Sequence, residues 1–262
     1  MNLLTLISDY GENNYSLAVI KAHLLGIKDT NVLDVFHGNS MTDIESTAYQ
    51  LYNALVHFPD HTIHLVLNKF KLVNNELLII SVRNQIVICP NNGIFYLIQQ
   101  IEREAIVRKV VLDATVDIYD MMQITQVYKN LVNDIISSPS IEKIGSEILN
   151  IIPAMPFDTG LICDEDRIVF RIIHIDENSH AITNLNKKIF DKYCQGKTIR
   201  FEFATSVIQS ISINYTNVDY YNKIGALFNN TGFMEIFMLG DKLCKLYNVT
   251  KKSNNTYHIL IK

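Results

Sequence analysis

The sequence predicts an α/β domain followed by a smaller all-β, barrel-like domain. Strand-like and helix-like segments alternate up to about residue 135, which is typical of a mostly parallel sheet with helices on both faces. Residues 153–166 are rich in turn formers and acidic side chains. Beyond them, strand-like runs are separated by short helices. We therefore predict domains at residues 1–152 and 167–262, joined by a connector at 153–166.

The composition indicates a globular chain with a substantial core. Hydrophobic residues make up 48% of the 262 residues and charged residues 19%. The formal charge is −4 without a basic block, so we expect neither nucleic acid nor a membrane surface as a partner. No apolar run reaches the roughly 20 residues that span a bilayer, and the first residues do not resemble a signal peptide.

The cysteines and histidines show no disulfide or metal-binding pattern. Cys89, Cys163, Cys194 and Cys244 are far apart in sequence, which favours reduced thiols in a cytoplasmic protein. The eight histidines lack the spacing of a zinc site. We therefore expect no metal ion.

The first elements follow from the hydrophobic pattern. Residues 3–8 form an apolar strand that runs into an acidic, glycine-containing turn and then a helix to about residue 25. Residues 31–36 form a second strand. Asp43 is expected to cap a helix whose apolar positions follow the helical period. These positions are Ile44, Ala48, Leu51, Tyr52, Leu55 and Phe58.

The rest of the first domain continues the alternation. A third strand at 62–67 precedes a hairpin of residues 76–82 and 85–89, turned at Arg83 and Asn84. A turn at 90–93 leads into a helix. The predicted ranges of the remaining elements are 94–101 for that helix, 105–112 for a strand and about 117–133 for the last helix.

The second domain is predicted from shorter runs. Strand-like segments occur at 167–176, 198–204, 207–215, 233–239 and 257–261. Short helices are expected near 187–194 and 241–247. The strands have no long crossover helices between them, so we expect antiparallel pairing.

Asp9 is the first candidate binding residue. It follows directly after the buried first strand, and ligands of open α/β sheets bind at the carboxyl ends of strands. A carboxylate there can accept two hydrogen bonds from a vicinal diol such as a ribose. The alternative is a helix N-cap or a turn aspartate.

Six short motifs, in order, resemble those of the S-adenosylmethionine hydroxide adenosyltransferase family and its fluorinase and chlorinase relatives. The family motifs are T-D-F-G, Y-V-G-x-x-K-G, D-I-T-H, P-D-N-G, I-D-x-F-G-N-x-x-T-N and F-N-S-x-G-Y-L-E. Their counterparts lie at residues 8–11, 15–21, 34–37, 90–93, 175–184 and 228–235. The resemblance covers nearly the whole chain.

The resemblance implies a homotrimer that binds S-adenosylmethionine between the α/β domain of one chain and the β domain of its neighbour. It implies that Asp9 holds the ribose hydroxyls, that Ser16 lies near the methionine end, and that Asp176 binds the methionine ammonium. Asn229 and Asn230 match the segment that faces adenine. The implied reaction is hydrolysis to adenosine and methionine, which needs no metal or organic cofactor.

The chain departs from the family at the residues that position or activate water. Asn68 stands where the family hydrolases have an aspartate, no arginine follows it, and Asp117 stands where they have a histidine. Asparagine cannot take a proton, whereas Asp117 can still orient water or act as a base. The alternative for Asp117 is the N-cap of the next helix, with Asp120 in the first turn.

Two histidines have open interpretations. His180 replaces the asparagine of the family's F-G-N segment, where it can still hydrogen-bond a ligand; the alternative is a solvated loop histidine. His37 follows the second strand, and a turn histidine bonded to backbone is the interpretation we favour there. Asn178 stands where the family has a phenylalanine near adenine.

The altered water-activating set leaves three hypotheses for function. The first is S-adenosylmethionine hydrolysis, and the second is a non-catalytic adenosine or S-adenosylmethionine-binding module. The third is a halide-using adenosyl transferase, which the negative charge of Asp117 disfavours because it would repel an anionic nucleophile.

Overall fold

The computed structural model describes residues 1–12, 14–38, 43–67, 72, 74–138, 140–148, 150–204, 206–216, 223–251 and 255–262. The chain divides into two compact units, residues 1–156 and residues 157–262. Within the described ranges, no helix is both long and apolar enough to cross a membrane.

The described part of the first unit is a seven-stranded sheet with four α-helices and a short 3-10 helix at Ile141–Lys143. The strands are β1 (Asn2–Ser8), β2 (Thr30–His37), β3 (Ile63–Leu67), β4 (Glu76–Val82), β5 (Gln85–Pro90), β6 (Ile106–Val111) and β7 (Ser146–Glu147). The helices are α1 (Tyr15–Leu25), α2 (Ile44–His57), α3 (Ile94–Gln99) and α4 (Met121–Ser137).

The sheet is mixed but mostly parallel, as predicted. Its strand order is β2-β1-β3-β5-β4-β6-β7. Strands β2, β1, β3 and β5 pair in parallel, and β6 runs in the same direction because β4 lies antiparallel to both β5 and β6. Among the seven described strands, β4 and β7 therefore run opposite to the other five.

Helices lie on both faces of this sheet. Leu4 and Leu6 of β1 pack into a core with apolar residues of α1 and α4. Thr5 points to the opposite face, as alternation along a strand requires, and its hydroxyl lies 2.6 Å from His64 Nδ1. His64 Nε2 bonds Gln85 Oε1 at 2.7 Å, and the Gln85 amide nitrogen donates to two carbonyls at the end of α2.

Several local predictions in the first unit are confirmed. Asp43 caps α2 by accepting a hydrogen bond from Ser46 N at 2.9 Å. Arg83 and Asn84 have φ of 52° and 56°, which is the backbone of a tight hairpin turn between β4 and β5.

The predicted start of the last helix of this unit is wrong. Helix α4 begins at Met121, and Asp120 is its N-cap because its carboxylate accepts hydrogen bonds from Met122 N and Gln123 N. Asp117 instead belongs to the turn before the helix, where it accepts from Tyr119 N at 2.9 Å. Both aspartates suit an N-cap, so the pattern alone could not choose between them.

The turn at 90–93 holds the end of the first unit in place. Gly93 has φ of 104°, and a Cβ atom added to it would lie 2.7 Å from the Ala154 Cβ. Asn91 accepts from Ile152 N at 3.0 Å and donates to Glu76 Oε2 at 2.8 Å. This segment is a turn with a left-handed glycine, as the turn prediction required.

The described part of the second unit is an antiparallel sheet with two short helices. The strands are β8 (Ile162–Cys163), β9 (Arg167–Ile175), β10 (Ala181–Asn186), β11 (Ile199–Phe203), β12 (Ser206–Ile208), β13 (Ile224–Phe228), β14 (Phe233–Met238) and β15 (Thr256–Ile261). The helices are α5 (Lys187–Cys194) and α6 (Leu243–Leu246).

The sheet of the second unit curls into a nearly closed barrel. Its strand order is β12-β11-β15-β9-β10-β14-β13, with β8 paired to β9. After β12, Ser212 N donates to Ala226 O of β13 at 2.7 Å, which brings the two ends of the strand order together. The predicted barrel-like all-β domain is therefore confirmed.

Two details of this domain differ from the prediction. The strand expected at 207–215 ends at Ile208, and Ile213 is 96% exposed. Strands β10 and β13 were not predicted. In β10 the polar side chain of Asn184 accepts from Arg171 N at 2.9 Å, next to a register shift, so this buried strand lacks the apolar alternation that prediction uses.

Candidate functional site

Asp9 lies just past the end of β1, at the carboxyl edge of the parallel strands. Its backbone N–H donates to Leu67 O at the end of β3, and the residue is partly exposed. Asn14 is the N-cap of α1, since its side chain accepts from Ser16 N at 3.0 Å, so the helix-cap alternative for Asp9 is wrong. Ser16 lies in the first turn of the same helix and is partly exposed. The two predicted residues therefore lie on either side of the β1–α1 loop.

Two buried phenols lie near Asp9. Burial, together with the charges of Asp9 and Asp120, raises the pKa of Tyr10 to about 12. Burial is also the main cause that raises the pKa of Tyr128, whose hydroxyl donates to Val66 O at 2.7 Å. Both phenols therefore stay protonated at neutral pH, and the negative charge of this region resides on its carboxylates.

A chain of polar contacts that was not predicted lies beside Asp9. Ser8 Oγ is 2.8 Å from His37 Nδ1, His37 Nε2 is 3.0 Å from Asp34 Oδ1, and Asp34 Oδ2 is 2.8 Å from Lys21 Nζ. The His37–Asp34 contact is close but poorly aligned for a hydrogen bond.

This contact chain ties β1, β2 and α1 together. Although burial raises it, the hydrogen bond from Lys21 and the close contact with His37 lower the pKa of Asp34 overall, so the carboxylate is charged at neutral pH. His37 is buried against side chains rather than bonded to a backbone group in these contacts, unlike the turn histidine that we favoured. The available signal in the sequence was that Ser8 and His37 end two neighbouring strands, with Asp34 three residues before His37.

Of the two positions proposed for water activation, the structure describes one. Asn68 lies outside the described residues. Asp117 is exposed and belongs to the turn before α4, where its backbone N–H also donates to Gln123 Oε1 at 3.0 Å.

In the second unit, Asp176 and His180 form one turn between β9 and β10. The Asp176 N–H donates to His180 O at 3.1 Å, and Asp176 Oδ1 accepts from His180 N at 2.7 Å. Ser179, which stands at the glycine of the family motif, has φ of 64°. This tight turn brings His180 Nδ1 to 3.6 Å from Asp176 Oδ2.

Glu235 completes this cluster from strand β14. Its Oε1 lies 2.9 Å from His180 Nδ1 and accepts from the Tyr215 hydroxyl at 2.5 Å. The imidazole also stacks on the Tyr215 ring, with the ring centres 5.9 Å apart. Glu235 and Tyr215 were missed because they come from segments distant in sequence; the terminal glutamate of the F-N-S-x-G-Y-L-E motif was the available signal for Glu235.

The charges in this cluster influence one another. Burial lowers the pKa of His180, but the hydrogen bond to Glu235 and the charges of Asp176 and Glu235 outweigh it and raise that pKa overall. Burial is the main cause that raises the pKa of Asp176. A positive imidazolium between two carboxylates is the arrangement that the raised pKa of His180 favours.

A cleft of about 580 Å³ opens beside Asp176. Its lining combines both signs of charge, because Glu177 lies next to Asp176 and two lysines, Lys242 and Lys245, line the same cleft. Lys242 Nζ donates to the backbone oxygen of Glu177 at 3.2 Å. The cleft can therefore receive a small ligand that carries both charges.

Asn229 and Asn230 lie in the turn between β13 and β14. The Asn229 side-chain oxygen accepts from Thr231 N at 3.2 Å, Thr231 Oγ1 at 3.0 Å and Phe233 N at 3.1 Å. This oxygen therefore serves the turn itself, whereas Asn230 is exposed.

Comparison with known proteins gives two kinds of similarity. The chain is similar over its full length to solved structures of an uncharacterized conserved protein from Thermotoga maritima and a conserved hypothetical protein from Thermus thermophilus. The Thermotoga maritima protein is 16% identical, with a TM-score of 0.77. The match covers 98% of this chain and 99% of the Thermotoga chain. The second has 17% identity and a TM-score of 0.67 and covers 100% of both chains. A search of the curated proteins gave no match.

Two family models match most of the sequence. Residues 4–145 match the SAM hydroxide adenosyltransferase N-terminal domain, and residues 170–255 match the C-terminal domain of the same family. The two matches follow each other in the order that the family requires, one in each compact unit. The chain therefore belongs to the SAM hydroxide adenosyltransferase family.

Proposed function

We propose that this chain binds S-adenosylmethionine and hydrolyses it slowly to adenosine and methionine. The observation that carries the proposal is the location of Asp9, a partly exposed carboxylate at the carboxyl edge of a parallel sheet, in a chain that belongs to this family. Ligands of open α/β sheets bind at that edge.

Each predicted residue is assigned to one part of the bound S-adenosylmethionine. Asp9 accepts hydrogen bonds from the ribose hydroxyls, and Ser16 lies near the methionine end. Asp176 binds the methionine ammonium, and the location of His180 beside it supports a role in the same part of the site. Asn229 and Asn230 face adenine. The proposed assembly is a homotrimer in which one chain supplies its α/β domain and a neighbour its β domain.

The reaction is a displacement at the 5′ carbon of the ribose. A water oxygen forms a bond to this carbon while the carbon–sulfur bond breaks, and the electron pair goes to sulfur. Methionine leaves as a neutral thioether, and the surplus proton passes to solvent. Alignment and exclusion of water lower this barrier by several kcal/mol even without a strong base.

Loss of the family's water-activating set favours a second candidate, a non-catalytic binding module. Asn68 cannot accept a proton, and the exposed carboxylate of Asp117 serves a turn. Such a module would bind adenosine or S-adenosylmethionine without turnover. We also propose a cytoplasmic location, which the four free cysteines support.

Incubation with S-adenosylmethionine tests the proposal. Chromatography should show adenosine and methionine in equal amounts, accumulating faster than in a sample without protein. Asn68→Asp should increase the rate, because it restores an acceptor for the proton of water. Binding without adenosine formation in either form would favour the binding module, and a chloride-dependent 5′-chloro product would show a halide-using transferase. Absence of binding would contradict both proposed functions.

A further inference from the structure

We propose that Asp176, His180 and Glu235 form a binding site for a divalent transition-metal ion of the zinc class. The site goes beyond the proposed function, although it shares Asp176 and His180 with it. The three ligand atoms come from the β9–β10 turn and from strand β14, so the folded barrel assembles them.

The three donor atoms lie close enough together to surround one metal ion. His180 Nδ1 lies 2.9 Å from Glu235 Oε1 and 3.6 Å from Asp176 Oδ2, and all three atoms lie within 4.8 Å of one another. A zinc ion with bonds of about 2.0–2.2 Å in tetrahedral geometry separates its ligand atoms by roughly 3.3–3.6 Å. The distance between His180 and Asp176 already lies in this range, whereas His180 and Glu235, now at hydrogen-bond distance, must move apart by about 0.4 Å for both atoms to bind one ion.

The surrounding groups already hold the ligands in position. The Tyr215 hydroxyl donates to Glu235 at 2.5 Å, and the His180 N–H fixes the second oxygen of Asp176 at 2.7 Å. The imidazole packs against the rings of Tyr215 and Phe237, with ring centres 5.9 Å and 6.1 Å away. Hydrogen-bonded carboxylates and an oriented imidazole are what metal sites need around their ligands.

Charge and access favour a cation at this point. The Glu235 side chain is 7% exposed, so a carboxylate there needs a positive charge beside it. A metal ion would displace the proton from His180 Nδ1 and supply that charge itself. Asp176 borders the open cleft of about 580 Å³, which gives an ion a way in and leaves room for a water at the fourth position.

The types of ligand indicate which ion. One imidazole and two carboxylates suit zinc and its neighbours in the transition series. Magnesium prefers six oxygen ligands and keeps several waters, so we expect it to bind weakly here.

Calorimetric titration of the full-length chain with zinc chloride, without nucleoside, tests the site. We expect one zinc ion per chain, and at least about 10-fold weaker binding in His180→Asn and Glu235→Gln. His258→Asn and Glu202→Gln are matched controls, because both residues are exposed on other strands of the same sheet, and they should bind zinc like the wild type. Omitting nucleoside keeps the result separate from the proposed function.

Cobalt(II) gives a second measurement on the unmodified protein. The ion should broaden the ring resonances of His180 before those of His258, because the paramagnetic centre would lie on the His180 imidazole. Lack of zinc uptake by the folded wild type, equal uptake by His180→Asn, or earlier broadening of His258 would each overturn the metal site.

Discussion

At the scale of single residues, the first unit contains one histidine that is neutral for a clear physical reason. His64 is fully buried between Thr5 and Gln85, and burial lowers its pKa to about 4 despite the hydrogen bond with Gln85. An unfolded chain would protonate the same histidine near its ordinary value of about 6.5.

This difference predicts a loss of stability in acid. The stabilising contribution is complete above about pH 6.5 and decreases as the pH falls towards 4, by roughly 3 kcal/mol at most. Urea unfolding of the wild type should therefore lose more free energy between pH 7 and pH 5 than unfolding of His64→Gln. His57→Gln is the control, since His57 is exposed at the end of α2 and should keep the wild-type pH dependence. Parallel curves for wild type and His64→Gln would contradict this explanation.

At the scale of elements, turns fix the position of the candidate site residues. The turn that contains Asn229 depends on one side-chain oxygen that accepts three hydrogen bonds. The 90–93 turn depends on a left-handed glycine packed against Ala154. For each turn we predict how one substitution changes the free energy of unfolding.

Asn229→Ala should lower the free energy of unfolding by about 1–2 kcal/mol, because partly buried donors of the turn lose their acceptor. Asn230→Ala, one residue away and exposed, should change it by less than about 0.5 kcal/mol. Chemical denaturation of the two variants gives both values. Equal effects would show that the oxygen of Asn229 does not hold the turn.

Gly93→Ala should destabilise the first unit by about 2–3 kcal/mol. The added methyl group meets both the unfavourable φ of 104° and the Ala154 Cβ at 2.7 Å. Gly196→Ala is a matched control, because its φ is 76° but no atom lies within 4 Å of the added Cβ. It should cost about 1 kcal/mol, from the backbone alone. A smaller loss for Gly93→Ala than for its control would contradict the packing against residue 154.

The elements also show what the sequence could predict. The hairpin at Arg83 and Asn84 and the cap at Asp43 depend on local chemistry, so they were predictable. The start of α4 was not, because Asp117 and Asp120 are equally good caps. Strand β10 was missed since its buried Asn184 is satisfied by a strand partner that the local pattern does not show.

At the scale of the whole molecule, the candidate site residues come from both units. Asp9 and Ser16 belong to the first, and Asp176, His180, Asn229 and Asn230 belong to the second. Sequence motifs indicated these six residues one by one. The cluster around His180 required the fold, because Glu235 and Tyr215 reach it from distant parts of the chain.

The proposed trimer predicts the mass in solution. Sedimentation analysis should give three times the chain mass of 30.0 kDa, without dependence on protein concentration in the micromolar range. A monomer at these concentrations would contradict the proposal that neighbouring chains complete each site.

The central claim is that Asp9 holds the ribose of a bound nucleoside. Titration calorimetry with adenosine tests it most directly, because adenosine has the sugar but no amino acid group. We predict that wild type and Asp29→Asn, an exposed control in the same unit, bind adenosine equally. Asp9→Asn should bind it about 10- to 150-fold more weakly, as expected for losing hydrogen bonds to a charged group worth about 1.5–3 kcal/mol. Equal affinity of Asp9→Asn and wild type, or no binding by the wild type, would contradict the account.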